Sequence, residues 1–321
     1  MVFNYLRAEV IIVNSEKSFS KLHAYVALVC SLLLASFIAP MSFAKVYSLP
    51  ASGSRLIGDV INHQVVKGDY FQEIAEQYNV GFLALMAANP EIDPFLPALG
   101  QQLTIPSQML LPYGQREGII INLPELRLYY FPKNSNKVHV FPVGIGRQGL
   151  ETPKTVSYIG EKRKNPVWRP TAQMKQRHFA EHGTKLADEV PAGPNNPFGQ
   201  YALRLGTSVY LLHGSNQRFG IGMRASSGCI RLYDDDIEWL YQNVEINTPV
   251  RIVDQAIKLS YEPNKKLIEV HSPLTVGEVN VRQRTISAAV SSFVGDSFDN
   301  RERLKQQIAQ PTGLVTELTA N

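Results

Sequence analysis

The sequence predicts an α+β multidomain protein, in which a small strand-helix-helix-strand module precedes a mainly-β domain and a short C-terminal extension. Its 321 residues suffice for two or three domains of ordinary size. Helical periodicity marks residues 62–107, whereas short apolar runs separated by glycine, proline and asparagine mark residues 118–254. This change of pattern predicts a domain boundary between the two segments.

Composition and charge exclude several classes of protein. With 44% hydrophobic and 9% aromatic residues, the chain can bury a core and is not a disordered protein. The net charge of +4 arises from 32 basic and 28 acidic residues, and no long basic run is present. So weak and dispersed a charge predicts no nucleic-acid partner, although a mildly cationic surface suits an anionic polymer.

An apolar, uncharged segment at residues 24–44 follows a basic N-terminal region. This pattern is typical of a secretory signal peptide at residues 1–44, with cleavage predicted after Ala44. The segment is also long enough to span a bilayer, so an uncleaved inner-membrane anchor is the alternative. In both cases the rest of the chain is expected outside the cytoplasm, in the periplasm.

The remaining chain divides by the same patterns. We expect a linker at 45–61, the N-terminal module at 62–107, a mainly-β domain at 118–254 and a C-terminal extension at 255–321. A second linker, at 107–118, joins the module to the β domain. In the extension, the pattern predicts a short strand pair and a polar helix at 301–310, and it indicates no function.

The two cysteines have different surroundings. Cys30 lies in the signal segment, so the chain from Lys45 onward keeps only Cys229 and cannot form an intramolecular disulfide. An unpaired thiol outside the cytoplasm is exposed to oxidation and needs an explanation. It is either a small buried hydrophobic side chain or a reactive group.

The N-terminal module has a compact pattern. A short strand at 63–66 precedes an apolar-periodic helix, for which Asp69 is the predicted N-cap. A second helix begins near Phe82 and stops at Asn89-Pro90. A strand at 101–106 closes the module.

This segment resembles a LysM module over its whole length, including an early Lys-Gly-Asp, a central Asn-Pro and a final Gly-Gln-x-Leu-x-Ile-Pro. The resemblance implies binding to a glycan that contains N-acetylglucosamine. The alternative is a small packing domain without a ligand. The implied contacts lie in the first turn and in the central loop, at Lys67, Gly68, Asp69, Tyr70, Asn89 and Pro90.

The mainly-β domain is predicted from six short apolar segments, at 119–123, 126–131, 137–146, 201–206, 209–214 and 250–253. One helix interrupts them after Asp234-Asp235-Asp236, where Ile237, Leu240 and Tyr241 recur at helical spacing. We attribute the acidic run to N-capping and to the helix dipole rather than to a metal site.

A match to G-x-G-x-x-G runs from Gly144 to Gly149 after a predicted strand. A dinucleotide site also needs a helix to begin there, so that the pyrophosphate meets the helix N-terminus. Thr152-Pro153 follows instead, without apolar periodicity. We therefore interpret the segment as a strand end with a glycine turn and expect no cofactor.

His178 to His182 match H-x-x-E-H, a zinc-peptidase signature. No third ligand is paired with the two histidines in the sequence, so we interpret the segment as a solvated helical turn and expect no metal. A zinc peptidase is the alternative, and its sign would be sensitivity to chelators with a dispensable Cys229.

A third motif joins His213-Gly214 to Ser226-Ser227-Gly228-Cys229-Ile230-Arg231 through a glycine-rich loop. An ordinary thiol is only a few per cent thiolate near pH 7, and an imidazole that takes its proton removes this handicap. Gly228 allows close backbone approach, so the amides of Gly228 and Cys229 can form an oxyanion hole. Arg231 either holds a substrate carboxylate, braces the loop, or forms a surface ion pair.

These residues resemble the signature of the L,D-transpeptidases, which is a His-Gly, a loop, and Ser-x-Gly-Cys-x-Arg. The resemblance covers residues 118–254, and the segments 168–170 and 190–199 look like the substrate flap of the Gram-negative periplasmic enzymes. Many members have histidine where this chain has Ser227, so no second imidazole is carried over. By position, the resemblance implies the nucleophile Cys229, the proton donor and acceptor His213, an orienting carbonyl at Gly214, and support from Ser226, Gly228 and Arg231.

The resemblance implies a reaction on peptidoglycan without ATP, metal or organic cofactor. The thiolate attacks the carbonyl at the L-centre of diaminopimelate in a stem tetrapeptide, D-alanine leaves, and an amine resolves the thioester. The amine of another stem gives a 3-3 cross-link, a lysine of an outer-membrane lipoprotein gives an anchor, and water gives L,D-carboxypeptidase trimming. A non-catalytic glycan-binding wall protein is the alternative from a different class.

Overall fold

The computed structural model describes residues 45–274 and 286–319. The predicted signal peptide, its cleavage after Ala44, and Cys30 lie outside these residues. Within the described ranges, no helix combines the length and the apolar character that a membrane crossing requires.

The N-terminal module has the predicted strand-helix-helix-strand order. Strands β3 (Ile61–Gln64) and β4 (Gln102–Ile105) pair antiparallel and flank helices α1 (Phe71–Gln77) and α2 (Phe82–Ala88). Asn79, in left-handed conformation with φ 45°, turns the chain between the helices. The module has its own buried core, formed by Val65, Phe71, Ile74, Ala75, Val80, Phe82, Leu85, Leu103 and Ile105.

The predicted N-cap of α1 is wrong. Tyr70 occupies the N-cap position and makes no side-chain capping bond. Asp69 Oδ2 instead accepts a hydrogen bond from Val66 N at 2.8 Å and lies 2.8 Å from His63 Nε2. The carboxylate therefore closes the turn before the helix instead of capping α1.

A nine-stranded mixed sheet forms the centre of the β domain and matches the predicted apolar segments. In spatial order the strands are β1 (Lys45–Ser48), β8 (Lys137–Pro142), β7 (Arg127–Phe131), β6 (Gly118–Asn122), β15 (Pro249–Val253), β10 (Thr155–Lys164), β11 (Tyr201–Leu205), β12 (Leu211–His213) and β14 (Ile230–Arg231). Neighbouring strands are antiparallel except for two parallel pairs, β6 with β15 and β12 with β14.

Both predicted linkers take part in sheets. Residues 45–61 contain β1, at the edge of the large sheet, and β2 (Leu56–Ile57), which pairs with β5 (Met109–Leu110) from the second segment. The sequence does not show these pairings because each strand is only two to four residues long. The sequence pattern does not predict the polar strand β10 for a different reason: most of its side chains are not buried, so no apolar run marks it.

Helix α4 (Asp234–Asn243) packs its Ile237 and Leu240 into the core of the β domain, as its spacing predicts. Its three aspartates lie in the first turn, but the N-cap is Tyr233 and has no side-chain capping bond. The predicted N-capping role is therefore wrong. Asp234 and Asp236 bond outside the helix instead, to Ser215 N and to Asn79 Nδ2.

The C-terminal extension is a small folded unit with its own core, which includes Phe293 and Leu304. The predicted strand pair and polar helix are present, and a further helix and strand complete the unit. Its elements are β16 (Ile257–Glu262), β17 (Lys265–Val270), α5 (Ala288–Val294), α6 (Phe298–Ala309) and β18 (Val315–Leu318), with β17 central in the three-stranded sheet.

Two further elements surround the candidate site. A short parallel pair joins β9 (Ile145–Gly146) to β13 (Arg224–Ser226). Helix α3 (Ala172–His182) lies in an excursion whose ends are joined by a bridge between Trp168 and Val190. We call residues 168–190 the flap.

Candidate active site

Strands β12 and β14 bring the two predicted reactive residues to one face of the sheet. Their parallel register pairs Leu212 with Ile230 and His213 with Arg231. Leu212 and Ile230 are fully buried in the core, so the alternating side chains of His213, Arg231 and Cys229 share the opposite face. Cys229 directly precedes β14 and stands two positions before Arg231, so it lies diagonal to His213 across this strand pair.

His213 is oriented by the backbone carbonyl that the family resemblance implies. Its Nδ1 donates to Gly214 O at 2.5 Å, so Nε2 is left to exchange a proton. The ring is buried, and Phe198 packs against it edge to face at 4.7 Å. Burial is the main reason that the pKa of His213 is lowered to about 4. The hydrogen bond to Gly214 raises this pKa, and the Arg231 charge lowers it. The imidazole is thus neutral at physiological pH.

Cys229 carries a partly exposed free thiol at the end of the glycine-rich loop. Its Sγ lies 3.9 Å from Val209 O. Burial raises the pKa of this thiol, while a hydrogen bond from the Leu211 amide and the Arg231 charge act in the opposite direction. The thiol therefore rests protonated, and the imidazole on the same face of the sheet is neutral and able to accept a proton.

Ser226 and Gly228 shape the turn that presents the thiol. Ser226 Oγ donates to Cys229 O at 2.5 Å and accepts from Gly228 N at 3.1 Å. Gly228 has φ +109°, a conformation that strains residues with a side chain. The Gly228 amide donates to Ser226 Oγ in this structure, and the oxyanion-hole roles of the Gly228 and Cys229 amides stay predictions.

Thr152 is a supporting residue that the sequence analysis missed. Its Oγ1 donates to Gly228 O at 2.8 Å and accepts from Gly146 N at 3.0 Å, so it ties the thiol turn to β9. Thr152 is the third residue after Gly149, where the glycine motif ends.

That glycine segment is a strand end, as interpreted, and it leads into β10 rather than into a helix. It also forms the floor of the site. Gly144 exchanges two backbone hydrogen bonds with Arg231, at 2.8 and 2.9 Å, and Arg147 N donates to Ser226 O at 3.0 Å. A Cβ at Gly144 would collide with the Gly220 carbonyl, so glycine is required by close backbone approach.

Arg231 lies against the loop with part of its guanidinium unused. Its Nη1 donates to Gln217 Oε1 at 3.2 Å, which supports the predicted bracing role. Its Nε is buried without a hydrogen-bond partner among the described residues. Within 45–274 and 286–319, Arg231 forms no ion pair, so the surface-pair alternative is not observed. The contact of the guanidinium with a substrate carboxylate stays a prediction.

Ser227 is exposed and contacts the flap. Its Oγ accepts a hydrogen bond from Arg177 Nη2, on α3, at 3.1 Å. A second contact joins the same helix to the floor of the site, between Arg147 Nη2 and Glu181 Oε1 at 3.2 Å. Ser227 thus contributes a contact to the flap.

The two histidines of the zinc-peptidase match lie on α3, with ring centroids 4.6 Å apart. His178 bonds Thr184 Oγ1, and both rings are at least partly exposed. In the described part of the chain, no third ligand atom completes a metal cluster with them. A solvated helical segment is therefore the interpretation that the geometry supports.

One group of described residues does have metal-ligand spacing. Oxygen and nitrogen atoms of Glu125, Glu269 and His271 lie within 4.8 Å of one another. Arg127 and Lys258 contact the same two carboxylates at 2.8–3.2 Å. These cations already neutralise the carboxylates, so the group is a buried ion-pair cluster.

The first predicted glycan-binding turn lies on the surface of the N-terminal module. Lys67 and Gly68 are exposed, and Gly68 has φ +98°. Tyr70 is half-buried, and Asp69 is bonded within the turn to His63. The turn is accessible to a ligand, and its contacts stay a prediction.

The central loop differs from the turn. Asn89 is buried, and its Nδ2 donates to Leu85 O and Thr104 O, each at 2.9 Å. A glycan can therefore meet only the backbone of Asn89 or the exposed Pro90 beside it. Phe95, which was not singled out from the sequence, is 77% exposed in the same loop.

Three family models match the chain. The LysM domain matches residues 63–106, the L,D-transpeptidase catalytic domain matches residues 116–252, and the L,D-transpeptidase C-terminal domain matches residues 256–318. The extension that the sequence left without a function therefore has a recognised counterpart.

Several curated proteins are similar over most of their length. The probable L,D-transpeptidase YcfS of Escherichia coli strain K12 is 49% identical over 284 residues, which cover 86% of this chain and 88% of that protein. The probable L,D-transpeptidase ErfK/SrfK of the same strain is 45% identical, over 78% of this chain and 81% of that protein. The probable L,D-transpeptidase YbiS, also of strain K12, is 39% identical, over 86% of this chain and 92% of that protein.

Proposed function

Because the chain belongs to the L,D-transpeptidase family, we propose that Cys229 is the nucleophile and His213 the proton carrier of a transpeptidation on peptidoglycan. The observation that carries this proposal is the parallel register of β12 and β14, which pairs His213 with Arg231, two positions after Cys229. The donor is a stem tetrapeptide whose third residue is diaminopimelate.

In the first half of the reaction, the Cys229 thiol attacks the carbonyl at the L-centre of diaminopimelate. The S–C bond forms while His213 Nε2 takes the thiol proton, and the same imidazolium then protonates the departing amine of D-alanine as its C–N bond breaks. The Arg231 guanidinium would hold a carboxylate of the donor during this step.

In the second half, an amine attacks the thioester. Its N–C bond forms, His213 takes the amine proton, and the proton returns to Cys229 as the S–C bond breaks. Diaminopimelate of a second stem gives a 3-3 cross-link, and a lysine of an outer-membrane lipoprotein gives an anchor. Hydrolysis by water would make the protein an L,D-carboxypeptidase.

The location that fits this substrate is the periplasm, reached through the predicted signal peptide. Lys45 is already the first residue of β1, which pairs with β8. Cleavage after Ala44 would therefore leave the sheet intact. N-terminal sequencing of protein recovered from cells tests the location, with Lys45 expected at the terminus; an intact N-terminus would favour the uncleaved anchor.

The central test incubates purified protein with disaccharide-tetrapeptide and measures product masses. We expect loss of D-alanine with formation of dimers, and at least about a 1,000-fold lower rate in Cys229→Ala, because the nucleophile is absent. Monomeric tripeptide as the sole product would identify a carboxypeptidase. Adding a lysine-containing lipoprotein peptide tests the lipoprotein lysine as acceptor.

A matched measurement addresses the scaffold alternative. Cys229→Ala should still sediment with isolated peptidoglycan, since the LysM turn is untouched. If the variant and the unaltered protein gave the same muropeptide profile in cells, catalysis by Cys229 would be refuted and a glycan-binding wall protein would remain.

A further inference from the structure

The LysM module packs directly on the loop that separates the two reactive residues. Leu83 N, in α2, donates to Gly222 O at 3.1 Å, and Met223 packs against the core of the module. Gly222 has φ +68°, and a Cβ there would collide with the backbone of Gly81. The two backbones are thus in contact, which a module tethered only for glycan binding would not require.

Directional polar contacts extend this junction. Gln72 Nε2 donates to Tyr233 OH at 3.3 Å, and Arg218 Nε donates to Glu76 Oε2 at 3.0 Å. Between them, Asn79 Nδ2 donates to Asp236 Oδ1 at 3.2 Å, and all three of Gln72, Asn79 and Asp236 are buried. Burial raises the pKa of the Asp236 carboxyl well above its ordinary value, so it meets the neutral amide without a buried charge.

The same loop also contacts residues of the candidate active site. Gln217 Oε1 accepts from Arg231 Nη1 at 3.2 Å, and Ile145 N of the floor donates to Met223 O at 2.9 Å. Ser215 N donates to Asp234 Oδ1 at 3.2 Å, which ties the loop start to α4. A shift of residues 214–223 would therefore move the Arg231 guanidinium relative to the thiol.

We infer that the LysM module is a positioning element of the active site: its α1–α2 face holds the loop 214–223, and that loop holds Arg231 beside Cys229. The inference rests on the proposed function and adds to it a role that needs no glycan. Glu76 and Gly222 are then positioning residues, because neither touches the reacting atoms. The module should matter even for a donor that carries no sugar.

The test measures full-length protein with a sugar-free stem tetrapeptide as donor and an amine acceptor. Gly222→Ala forces the two backbones apart, and Glu76→Gln removes one charge of the Arg218 pair without changing its size. We expect kcat to fall about 10-fold or more in Gly222→Ala, and less in Glu76→Gln, with KM within about 2-fold, since small misplacements near the chemistry are costly. Gln77→Ala, exposed on the same helix, is the matched control.

A second readout separates positioning from simple loss of stability. The pH dependence of Cys229 alkylation by iodoacetamide, followed by peptide-resolved mass spectrometry to distinguish Cys30, should shift to higher pH when Arg231 is displaced. Folded junction variants with unaltered kcat and an unaltered alkylation profile would overturn the inference. If even the unaltered protein failed to release D-alanine, the proposed function would fail, and the alkylation profiles would still decide the positioning role.

Discussion

At the residue scale, the reactive pair rests with both groups neutral. Burial lowers the pKa of His213 to about 4 and raises the pKa of Cys229. The Arg231 charge favours the thiolate and disfavours the imidazolium, so it acts on both members of the pair. With both groups neutral at rest, we expect proton transfer to accompany attack on the donor and no stable ion pair to precede it.

This arrangement predicts an unusual acid limb in the pH profile. Catalysis needs neutral His213, so kcat/KM should hold from neutral pH to about pH 5 and fall only as the ring gains a proton near its lowered pKa. Steady-state rates on tetrapeptide across pH measure this, with circular dichroism at each pH to exclude unfolding. An acid limb near the ordinary imidazole pKa of about 6.5 would contradict the neutral resting pair.

At the scale of elements, the flap helix α3 is well formed but weakly attached. Thr171 Oγ1 caps its start, and Gly183 ends it in left-handed conformation. It reaches the site through Arg177 on Ser227 and through the Arg147–Glu181 pair, all at least partly exposed. Exposed contacts of this kind are worth about 0–1 kcal/mol, so the flap can leave the site without unfolding.

Arg177→Ala should therefore raise the donor KM by up to about 5-fold and leave Tm unchanged, because a less populated closed flap lowers apparent affinity. Steady-state kinetics and thermal unfolding measure both. Lys175→Ala, whose ion pair with Asp188 lies within the flap, should keep the normal KM. Equal KM values in the two variants would show that the Arg177 contact has no part in donor binding.

At the scale of the whole molecule, a buried cluster of charges joins the C-terminal unit to the large sheet. Lys258 Nζ lies 2.8 Å from Glu125 and 3.0 Å from Glu269, and Arg127 contacts both carboxylates at 3.2 Å. His271 adds a contact to Glu269 at 2.7 Å. Burial alone would raise the pKa of Glu269, but the cations, Lys258 first, hold it below its ordinary value.

Lys258→Met removes one cation and leaves two buried carboxylates undercompensated. The free energy of unfolding should fall by about 3–5 kcal/mol, as for other broken buried ion pairs. Urea denaturation measures the change. Lys305→Met breaks the exposed pair with Glu302 and should cost no more than about 1 kcal/mol. A similar, small loss in both variants would show that the cluster does not hold the units together.

Local patterns in the sequence were sufficient to predict the domains and to identify His213 and Cys229 as the reactive pair. The helices of the N-terminal module follow from apolar spacing, and His213 and Cys229 follow from a motif whose residue types carry their own chemistry. The polar strand β10 was not predicted, because its side chains are mostly unburied and no apolar run marks it until a partner strand is present.

Contacts between distant segments decided the rest. Four features of the site depend on which segments meet in space. They are the hydrogen bond of the Gly228 amide to Ser226, the neutral state of His213, the support from Thr152 and the ion pair of Glu76 with Arg218. The functional group of each residue is fixed by its type, so the sequence alone determined what reaction the chain can perform. Burial and hydrogen-bond partners exist only after folding, so the tertiary structure alone decided how the site is held and protonated.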